Sequence, residues 1–230
     1  MTTYRVEVAI FAIAFAVFGL VAVALVWSGG WAYELLARAT AHTETTFVVK
    51  SGGIGSGPVV VDLHGLLDWH GKWASFVTGI SDSAPSNTRF FTDDEYAHMA
   101  DVRAMFRGAE FAAALALFVA GFRVARARRR GDAVRLVRAG SSIAAGMVAV
   151  IGVAAAVAFD PLFLLFHEVF FPQGNFLFPP DSNLIRLYPE WYWQGITAGV
   201  GMSFIAVALL VAGAAHIALR RRSNTYTRAA

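Results

Sequence analysis

VAIFAIAFAVFGLVAVALVW, residues 8–27, is a run of twenty residues without a charge. As an α-helix rising 1.5 Å per residue it covers about 30 Å, which is the thickness of the hydrocarbon core of a bilayer. Residues 37–39, Ala-Arg-Ala, resemble a signal-peptidase site, but the apolar run is longer than the core of a signal peptide. We therefore expect an uncleaved anchor at the start of an integral membrane protein.

The composition of the whole chain favours burial in lipid. Hydrophobic residues make up 57% of the 230 residues and charged residues only 15%, against about a quarter in soluble domains. Three further apolar runs follow the first. The sequence predicts an all-α integral membrane protein with about four transmembrane helices, over residues 6–27, 108–126, 139–159 and 195–219.

Arginines indicate the orientation of these spans. Seven lie between Arg123 and Arg138, and three more occupy positions 220–222. Because arginine-rich connections stay in the cytoplasm, residues 123–138 are predicted to form a cytoplasmic loop, with both chain termini on the same side. The outer regions are then residues 28–107 and 160–194 of a single membrane domain, 1–230. The net charge is +3, but the basic clusters abut apolar runs, so we expect no nucleic-acid partner.

A helix start is recognisable in the first outer region. Thr92 and Glu95 have the spacing of a capping box, which predicts a helix that begins here and continues into the second span. On that helix His98 and Asp101 are three positions apart and lie on one face.

The remaining outer segments are less well defined by the sequence. Asp160 and Pro161 predict the cap and first position of a short Phe-rich helix, which is too short to span and therefore interfacial or re-entrant on the outer face. Residues 51–58, SGGIGSGP, predict a turn, and residues 59–76 a short helix. The fold of residues 28–90 is otherwise left open.

Five of the six histidines lie in the outer regions, together with most acidic residues. Asp101 is a partner that can fix the tautomer of His98, and Arg103 follows on the same helix, although the spacing fits a solvated helix start as well. His167, next to Glu168, interrupts an apolar segment. An imidazole there needs a partner, which is either part of a site or a backbone carbonyl.

Other candidate groups carry weaker signals. Arg186, just before an aromatic run, suits a lipid phosphate, a headgroup contact or a developing oxyanion. A metal site built from His64, Asp68, His70 and His98 matches no zinc spacing, so no metal and no cofactor are expected. The chain has no cysteine and no G-x-S-x-G elbow, which excludes a thiol nucleophile and disfavours a serine hydrolase.

Two outer segments carry a pattern that is more specific than its parts. FFTDDEYAHMADVRAMF contains His-x-x-Asp-Val-Arg, and FDPLFLLFHEVFFPQGNFLFPPDSNLIRLYPEWYW contains Phe-His-x-x-Phe-Phe, then Leu-Ile-Arg and an aromatic end. In this order, and with four spans, the pattern resembles the bacterial lipoprotein intramolecular transacylase family (Lit). The matching positions are His98, Asp101, Val102, Arg103, Phe166, His167, Phe170, Phe171 and Arg186.

The resemblance implies an acyltransferase whose substrate is a diacylated bacterial lipoprotein. Such enzymes move the sn-2 acyl chain of the S-diacylglyceryl cysteine to its α-amino group, giving the lyso-form lipoprotein. It also implies a multi-pass protein of the bacterial cytoplasmic membrane, in contact with phospholipid, with its active site at the outer face. The family's functional histidines map onto His98 and His167. The residues expected to bind substrate, orient the pair or stabilise an oxyanion are Asp101, Arg103, Arg186 and Glu168.

If the resemblance holds, we expect His167 to be the base, because its segment is apolar, and Asp101 to orient His98; the reverse assignment stays open. Nucleophile and ester belong to one molecule, so orientation alone can lower the barrier by roughly 7–11 kcal/mol. There are two alternatives. One is a non-enzymatic membrane binding or scaffold module, and the other is a metal-dependent lipid hydrolase using His64, His70 and His98. The oligomeric state is not predicted.

Overall fold

The computed structural model describes residues 2–50, 57–86 and 89–228, which are mainly helical. The described elements are α1 (Thr2–Trp27), α2 (Gly30–Ala39), β1 (Glu44–Phe47), β2 (Val59–Asp62), α3 (Leu63–Val77), α4 (Asp93–Arg129), α5 (Ala133–Val157), α6 (Phe159–Phe170), α7 (Asn183–Leu187) and α8 (Glu190–Arg228). Among them α1, α4, α5 and α8 are long and apolar enough to cross a membrane. The prediction of four transmembrane helices is confirmed.

Helices α4 and α5 extend beyond their apolar runs into the arginine-rich connection between them. Arginines are good helix formers, so helical structure continues through most of residues 123–138. The chain reverses only at Gly131, which has a φ of 78°. The N–H of Gly131 donates to the carbonyl of Arg128 at 3.1 Å, and the N–H of Asp132 donates to that of Ala127 at 2.9 Å. This is a Schellman motif, which satisfies the last carbonyls of α4.

The chain divides into two compact units. The first consists of Met1–Ala24, Ala109–Val157 and Ala198–Ala230, and so contains most of the four long helices. Small residues allow close packing here. A Cβ added at Gly140 of α5 would lie 2.2 Å from Cδ1 of Phe11 in α1, so a larger residue does not fit unless the phenyl ring moves.

The second unit consists of Leu25–Gly108 and Ala158–Thr197. Strands β1 and β2 pair in antiparallel register, with Glu44 opposite Asp62 and Phe47 opposite Val59. Helices α2, α3 and α7 pack with this pair and with the end of α8 that begins at Glu190. The buried core of the unit includes Tyr33, Phe47, Leu66, Trp73, Phe91, Leu187 and Tyr192.

A fully buried asparagine joins three segments of the second unit. Nδ2 of Asn183, at the start of α7, donates to the carbonyl of Val48 at 2.7 Å and to that of Phe90 at 2.6 Å. Its Oδ1 accepts from the N–H of Val48 at 2.8 Å. Because a buried amide is costly unless its groups are paired, these bonds fix the end of β1 and the residues before α4 relative to α7.

The structure corrects the prediction of a helix over residues 59–76. Residues 59–62 form strand β2, because three successive valines favour an extended chain. Asp62 then caps α3 by accepting from the N–H of Gly65 at 2.9 Å. Of the turn expected over residues 51–58, residues 51–56 lie outside the described residues.

The start of α6 also differs from the prediction. The helix follows Ala158, so Asp160 is not its cap. The carboxylate lies instead in the first turn, where the helix dipole favours it. Pro161 occupies the third helical position, where the missing N–H has no partner within the helix in any case.

Candidate active site

A capping box positions the first histidine. The N–H of Thr92 donates to Oε2 of Glu95 at 2.7 Å, and the N–H of Glu95 donates to Oγ1 of Thr92 at 3.3 Å. This is the predicted start of α4, and it is confirmed. His98 follows one turn later and is buried, with 7% of its surface exposed.

The second histidine, His167, lies on α6 and has a fixed tautomer. Its Nδ1 is 2.8 Å from the carbonyl oxygen of Phe163, one turn earlier on the same helix. Because a carbonyl oxygen only accepts hydrogen bonds, Nδ1 carries the hydrogen. In the neutral ring, Nε2 is therefore the unprotonated nitrogen, and it is the one that can take a proton.

The structure brings His98 and His167 together. Their ring centroids are 6.4 Å apart, and the ring planes differ by only 16°. Phe171, which is 1% exposed, packs on both rings. Its ring centroid lies 4.9 Å from that of His98 and 5.5 Å from that of His167. Further rings around the pair are those of Phe163, Phe166, Phe176 and Phe178. Two imidazoles in such apolar surroundings interact with any polar group between them more strongly than they would in water.

Asp101 acts on His98 both directly and through a neighbouring amide. Its Oδ2 accepts from Nε2 of Gln173 at 2.7 Å and from Nδ2 of Asn175 at 2.5 Å. The side chain of Asn175 is also within hydrogen-bonding range of His98, but the two groups are not well aligned, because Nδ1 of His98 and Oδ1 of Asn175 are both buried without a partner among the described residues. The negative charge of Asp101 also acts directly on His98. Asp101 thus holds the loop that joins α6 to α7 against the first histidine.

Arg103 stabilises a different part of the second unit. Its Nη1 donates to the carbonyls of Phe76 at 2.8 Å and Ser81 at 2.5 Å. Its Nη2 lies 3.3 Å from Oδ1 of Asp82, and the guanidinium lies over the ring of Phe76. These contacts cap the end of α3 and hold the turn that follows it. The structure does not bring Arg103 to the histidines.

Two further candidate residues form no contact with the pair among the described residues. Arg186, on α7, donates from Nη1 to the carbonyl of Thr46 in β1 at 2.6 Å and lines a separate cavity. Glu168 is exposed and forms no hydrogen bond or ion pair with the described residues. Of the six candidates, the structure therefore groups His98, His167 and Asp101.

The residues of the possible metal site are not brought together. Among the described residues, no group of three His, Cys, Asp or Glu side chains could hold a metal ion. His64 and Asp68 are exposed, and Asp68 pairs with Lys72. His70 is 2% exposed, and its Nε2 lies 3.1 Å from the carbonyl of Ser28. Burial lowers the pKa of His70 from 6.5 to about 4, although the hydrogen bond to Ser28 acts in the opposite direction.

Sequence reasoning missed the residues that the loop between α6 and α7 contributes. Gln173 and Asn175 flank Gly174, whose φ of 77° permits the tight turn that points both amides at Asp101. The dipeptide Gly-Asn is a turn signal, which locates the turn but does not identify its partner. Phe176 and Phe178 follow and pack on the histidines.

Comparison with known proteins gives a family match over this region. A sequence model of the family described as lipoprotein intramolecular transacylase Lit matches residues 59–193. The match includes both histidines and the loop between α6 and α7. No curated protein matches the chain.

Solved structures with the same fold come from Bacillus cereus. An in meso structure of the membrane integral lipoprotein intramolecular transacylase Lit superposes with a TM-score of 0.70 at 13% identity, covering 100% of this chain and 99% of that chain. A variant of that protein with one histidine replaced by arginine gives 0.72 at 14% identity, covering 97% and 95%. A variant with an alanine replacement gives 0.72 at 12% identity, covering 96% of each chain. At these identities the likeness shows the fold.

Proposed function

The chain belongs to the lipoprotein intramolecular transacylase family, and we propose that His98 and His167 are the catalytic pair of this membrane-integral acyltransferase. The substrate is a lipoprotein, in keeping with the family. The reaction moves the sn-2 acyl chain of the S-diacylglyceryl cysteine to the α-amino group of the same cysteine. The observation that carries the proposal is the near-parallel approach of the two imidazoles, 6.4 Å apart, inside a ring of phenylalanines.

The reaction needs no second substrate. The α-amino nitrogen attacks the ester carbonyl, a C–N bond forms, and the nitrogen loses a proton to a base. The tetrahedral intermediate then collapses, the bond between the carbonyl carbon and the glycerol oxygen breaks, and that oxygen takes a proton. The products are an amide and a free glycerol hydroxyl, so the total mass is unchanged. An α-amine has a pKa of about 8, which a histidine base can match near neutral pH.

His167 is the better candidate for the base. Since Nδ1 is bonded to the carbonyl of Phe163, Nε2 has the free lone pair and a fixed direction. His98 then stabilises the oxyanion by donating a hydrogen bond, and the protonated His167 passes the proton taken from the amine to the departing glycerol oxygen. This division of labour requires that the reacting carbon lies between the rings, within hydrogen-bond reach of both.

The aromatic surroundings support acyl transfer over hydrolysis. Phe163, Phe166, Phe171, Phe176 and Phe178 form an apolar wall around the histidines. Such a wall suits the hydrocarbon of an acyl chain and keeps water from the intermediate. When water is excluded, the α-amine of the lipoprotein is the nucleophile that reaches the ester of the same lipoprotein.

The arginines named as oxyanion candidates are assigned no catalytic role. Arg103 donates to the backbone carbonyls at the end of α3, and Arg186 bonds the carbonyl of Thr46 and lines a separate cavity, so neither is placed at the histidine pair. Asp101 is assigned a positioning role through Asn175.

The reaction is assigned to the outer face of the bacterial cytoplasmic membrane. Both histidines lie in the outer regions of the sequence, and the arginine clusters favour a cytoplasmic location for the opposite helix ends.

Mass spectrometry of a lipoprotein's N-terminal peptide tests the proposal. The lipoprotein is expressed in a host without its own N-acylation step, together with this protein or with the His98→Ala or His167→Ala variant. We expect an acyl group on the cysteine nitrogen, a glycerol that has lost one acyl chain and an unchanged total mass. Each histidine variant is expected to abolish this product, because base and oxyanion donor act in one step.

His64→Ala is the matched control, because it removes an exposed histidine of the same unit that lies outside the pair. It should leave the product unchanged. An untouched diacylglyceryl peptide in the presence of the folded, inserted wild-type protein would reject acyl transfer and favour a binding module. Activity that persists in His167→Ala would reject the proposed base.

A further inference from the structure

A cavity of about 300 Å³ lies in the second unit and shares no lining residue with the histidine pair. We propose that it binds the headgroup of a membrane phospholipid that carries both a phosphate and an amine. The proposal is based on four residues that line the cavity, namely Arg186, His42, Glu44 and Trp191.

Arg186 supplies a positive charge that forms no ion pair within the described part of the chain. One bond, from Nη1 to the carbonyl of Thr46, anchors the half-buried guanidinium, while Nε is buried without a partner among the described residues. Asp181 interacts with this charge but is paired with Lys50 at 2.8 Å. A half-buried guanidinium with an open donor is costly in isolation and is stabilised by an anion that accepts from it.

His42 is held at the same cavity by the C-terminal cap of α2. The N–H of His42 donates to the carbonyl of Ala37 at 2.8 Å and the N–H of Ala41 donates to that of Arg38 at 3.3 Å, with a φ of 58° at Ala41. This is a Schellman motif like the one at Gly131, and it fixes the position of His42 relative to α2. The turn stacks the ring of His42 on that of Trp191, 5.3 Å away and within 17° of parallel, so its edge nitrogens stay free to bind.

Glu44 determines which kind of anion fits. It is exposed and forms no ion pair with the described residues, although it lines the cavity together with Arg186. A dianionic phosphate or a dicarboxylate placed there is repelled by this carboxylate. A phosphodiester carrying an ammonium group satisfies both charges, the phosphate at Arg186 and the ammonium at Glu44.

The aromatic residues beside the cavity indicate a lipid as the source of this headgroup. Trp191 is the second residue of α8, one of the four helices that can cross a membrane. Trp193, two positions later, is partly exposed like Trp191, whereas Tyr192 between them belongs to the buried core of the unit. Partly exposed tryptophans at the end of a spanning helix are typical of the headgroup level, where lipid phosphates lie.

The test is a thermal unfolding series on the detergent-purified full chain. The probes are dioleoyl phosphatidylethanolamine, dioleoyl phosphatidylglycerol, dioleoyl glycerol without a headgroup phosphate, and inorganic phosphate. We expect phosphatidylethanolamine to raise the Tm of the wild type by about 3 °C and the other probes to act less. Arg186→Gln should abolish this shift and reduce phospholipid retention in native mass spectrometry by roughly tenfold. Arg38→Gln, which removes an exposed arginine of α2, is the matched control and should keep the shift.

A second variant tests the cavity without breaking the bond between Arg186 and Thr46. Glu44→Gln should bring the phosphatidylglycerol shift up to the level of phosphatidylethanolamine, because the carboxylate that selects the amine is gone. An equal shift with dioleoyl glycerol would overturn the headgroup assignment. An equal shift with inorganic phosphate would overturn the lipid assignment. Unchanged lipid preference in Glu44→Gln, or an unchanged shift in Arg186→Gln, would overturn the site itself.

Discussion

At the scale of single residues, the setting of His98 depends on an uncharged neighbour. Asn175 donates to Oδ2 of Asp101 and lies within hydrogen-bonding range of His98, so the carboxylate acts on the imidazole through this amide as well as directly through its charge. Gln173 donates to the same carboxylate oxygen and is not among the groups that act on His98. We therefore expect Gln173 to hold the loop, and Asn175 to hold the loop and also position His98.

Asn175→Ala should slow acyl transfer with little change in the apparent affinity for lipoprotein. His98 loses the neighbour that limits its orientation, and misplacement of a catalytic group by about 1 Å can reduce a rate up to about a hundredfold. The measurement is the rate of lyso-form production against lipoprotein concentration, so that kcat and KM are separated.

Gln173→Ala is the control for Asn175→Ala, because it removes the other bond to Asp101 and leaves His98 untouched. It should retain most of the kcat. Equal losses of kcat in the two variants would mean that the loop is merely anchored, and the positioning role of Asn175 would be abandoned.

Some residues of the site were predictable because their partners are near in sequence. The bond between Thr92 and Glu95 spans three positions, so the capping box can be recognised in the sequence. Arg103 and Arg186 were not predictable, because each donates to a backbone carbonyl, of Phe76 and of Thr46 respectively. Carbonyls are present at every residue, so no sequence pattern marks them as partners.

At the scale of elements, one buried carboxylate joins α4 to α7. Glu95 is 1% exposed, and its Oε1 accepts from the N–H of Leu184 at 3.0 Å and from the hydroxyl of Ser182. Its Oε2 completes the capping box with Thr92. One side chain therefore closes the start of α4 and fixes the short helix α7 beside it.

Glu95→Gln should lower the free energy of unfolding by about 1–3 kcal/mol. Both carboxylate oxygens face donors, so the amide group of glutamine must turn its own N–H groups toward one of them. The measurement is denaturant unfolding in detergent. Asp94→Asn, which changes an exposed acid in the same helical turn, should cost less than about 1 kcal/mol. Similar losses in both variants would show that only the helix dipole is affected.

Elements were predictable in proportion to their length. The four long helices follow from hydropathy, whereas β1 and β2 have four residues each and gave no signal that outweighed a helix over 59–76. Their pairing depends on register between segments on either side of residues 51–56, which lie outside the described residues. The start of α6 was misplaced by two residues, a normal error where cap residues cluster.

At the scale of the whole molecule, the second unit is held by contacts between remote parts of the chain. The hydroxyl of Tyr33 donates to the carbonyl of Leu187 at 2.8 Å, and His70 lies between Ser28 and the hydroxyl of Tyr188. Hydropathy predicts spans but says nothing of such contacts. The division into two units was not foreseen for this reason, and the single membrane domain stays a prediction.

The stability of the molecule should fall on acidification because of His70. Its pKa is about 4 in the folded protein and 6.5 in the unfolded chain, so the folded state favours the neutral ring. The contribution is complete above pH 6.5 and is lost between pH 6.5 and pH 4, by on the order of 3 kcal/mol. The measurement is the free energy of unfolding across this range for the wild type and for His70→Gln.

The expected result is a flatter pH profile for His70→Gln, because glutamine keeps an N–H for the carbonyl of Ser28 but takes up no proton. His64→Gln, an exposed histidine on the same helix, should follow the wild type. A profile for His70→Gln that is as steep as that of the wild type would show that other groups govern the acid response.

The discontinuous second unit has a consequence for biosynthesis. His98 lies in its first segment, and Asn175, His167 and α7 lie in its second, after the whole of α5. A ribosome therefore completes the arginine-rich turn at Gly131 long before the second histidine is made. During that interval Glu95 cannot bond to Ser182, and Asp101 cannot bond to Asn175, because both partners are still to be translated. The nascent chain thus passes through a stage in which it is anchored in the bilayer but contains only one histidine of the proposed pair.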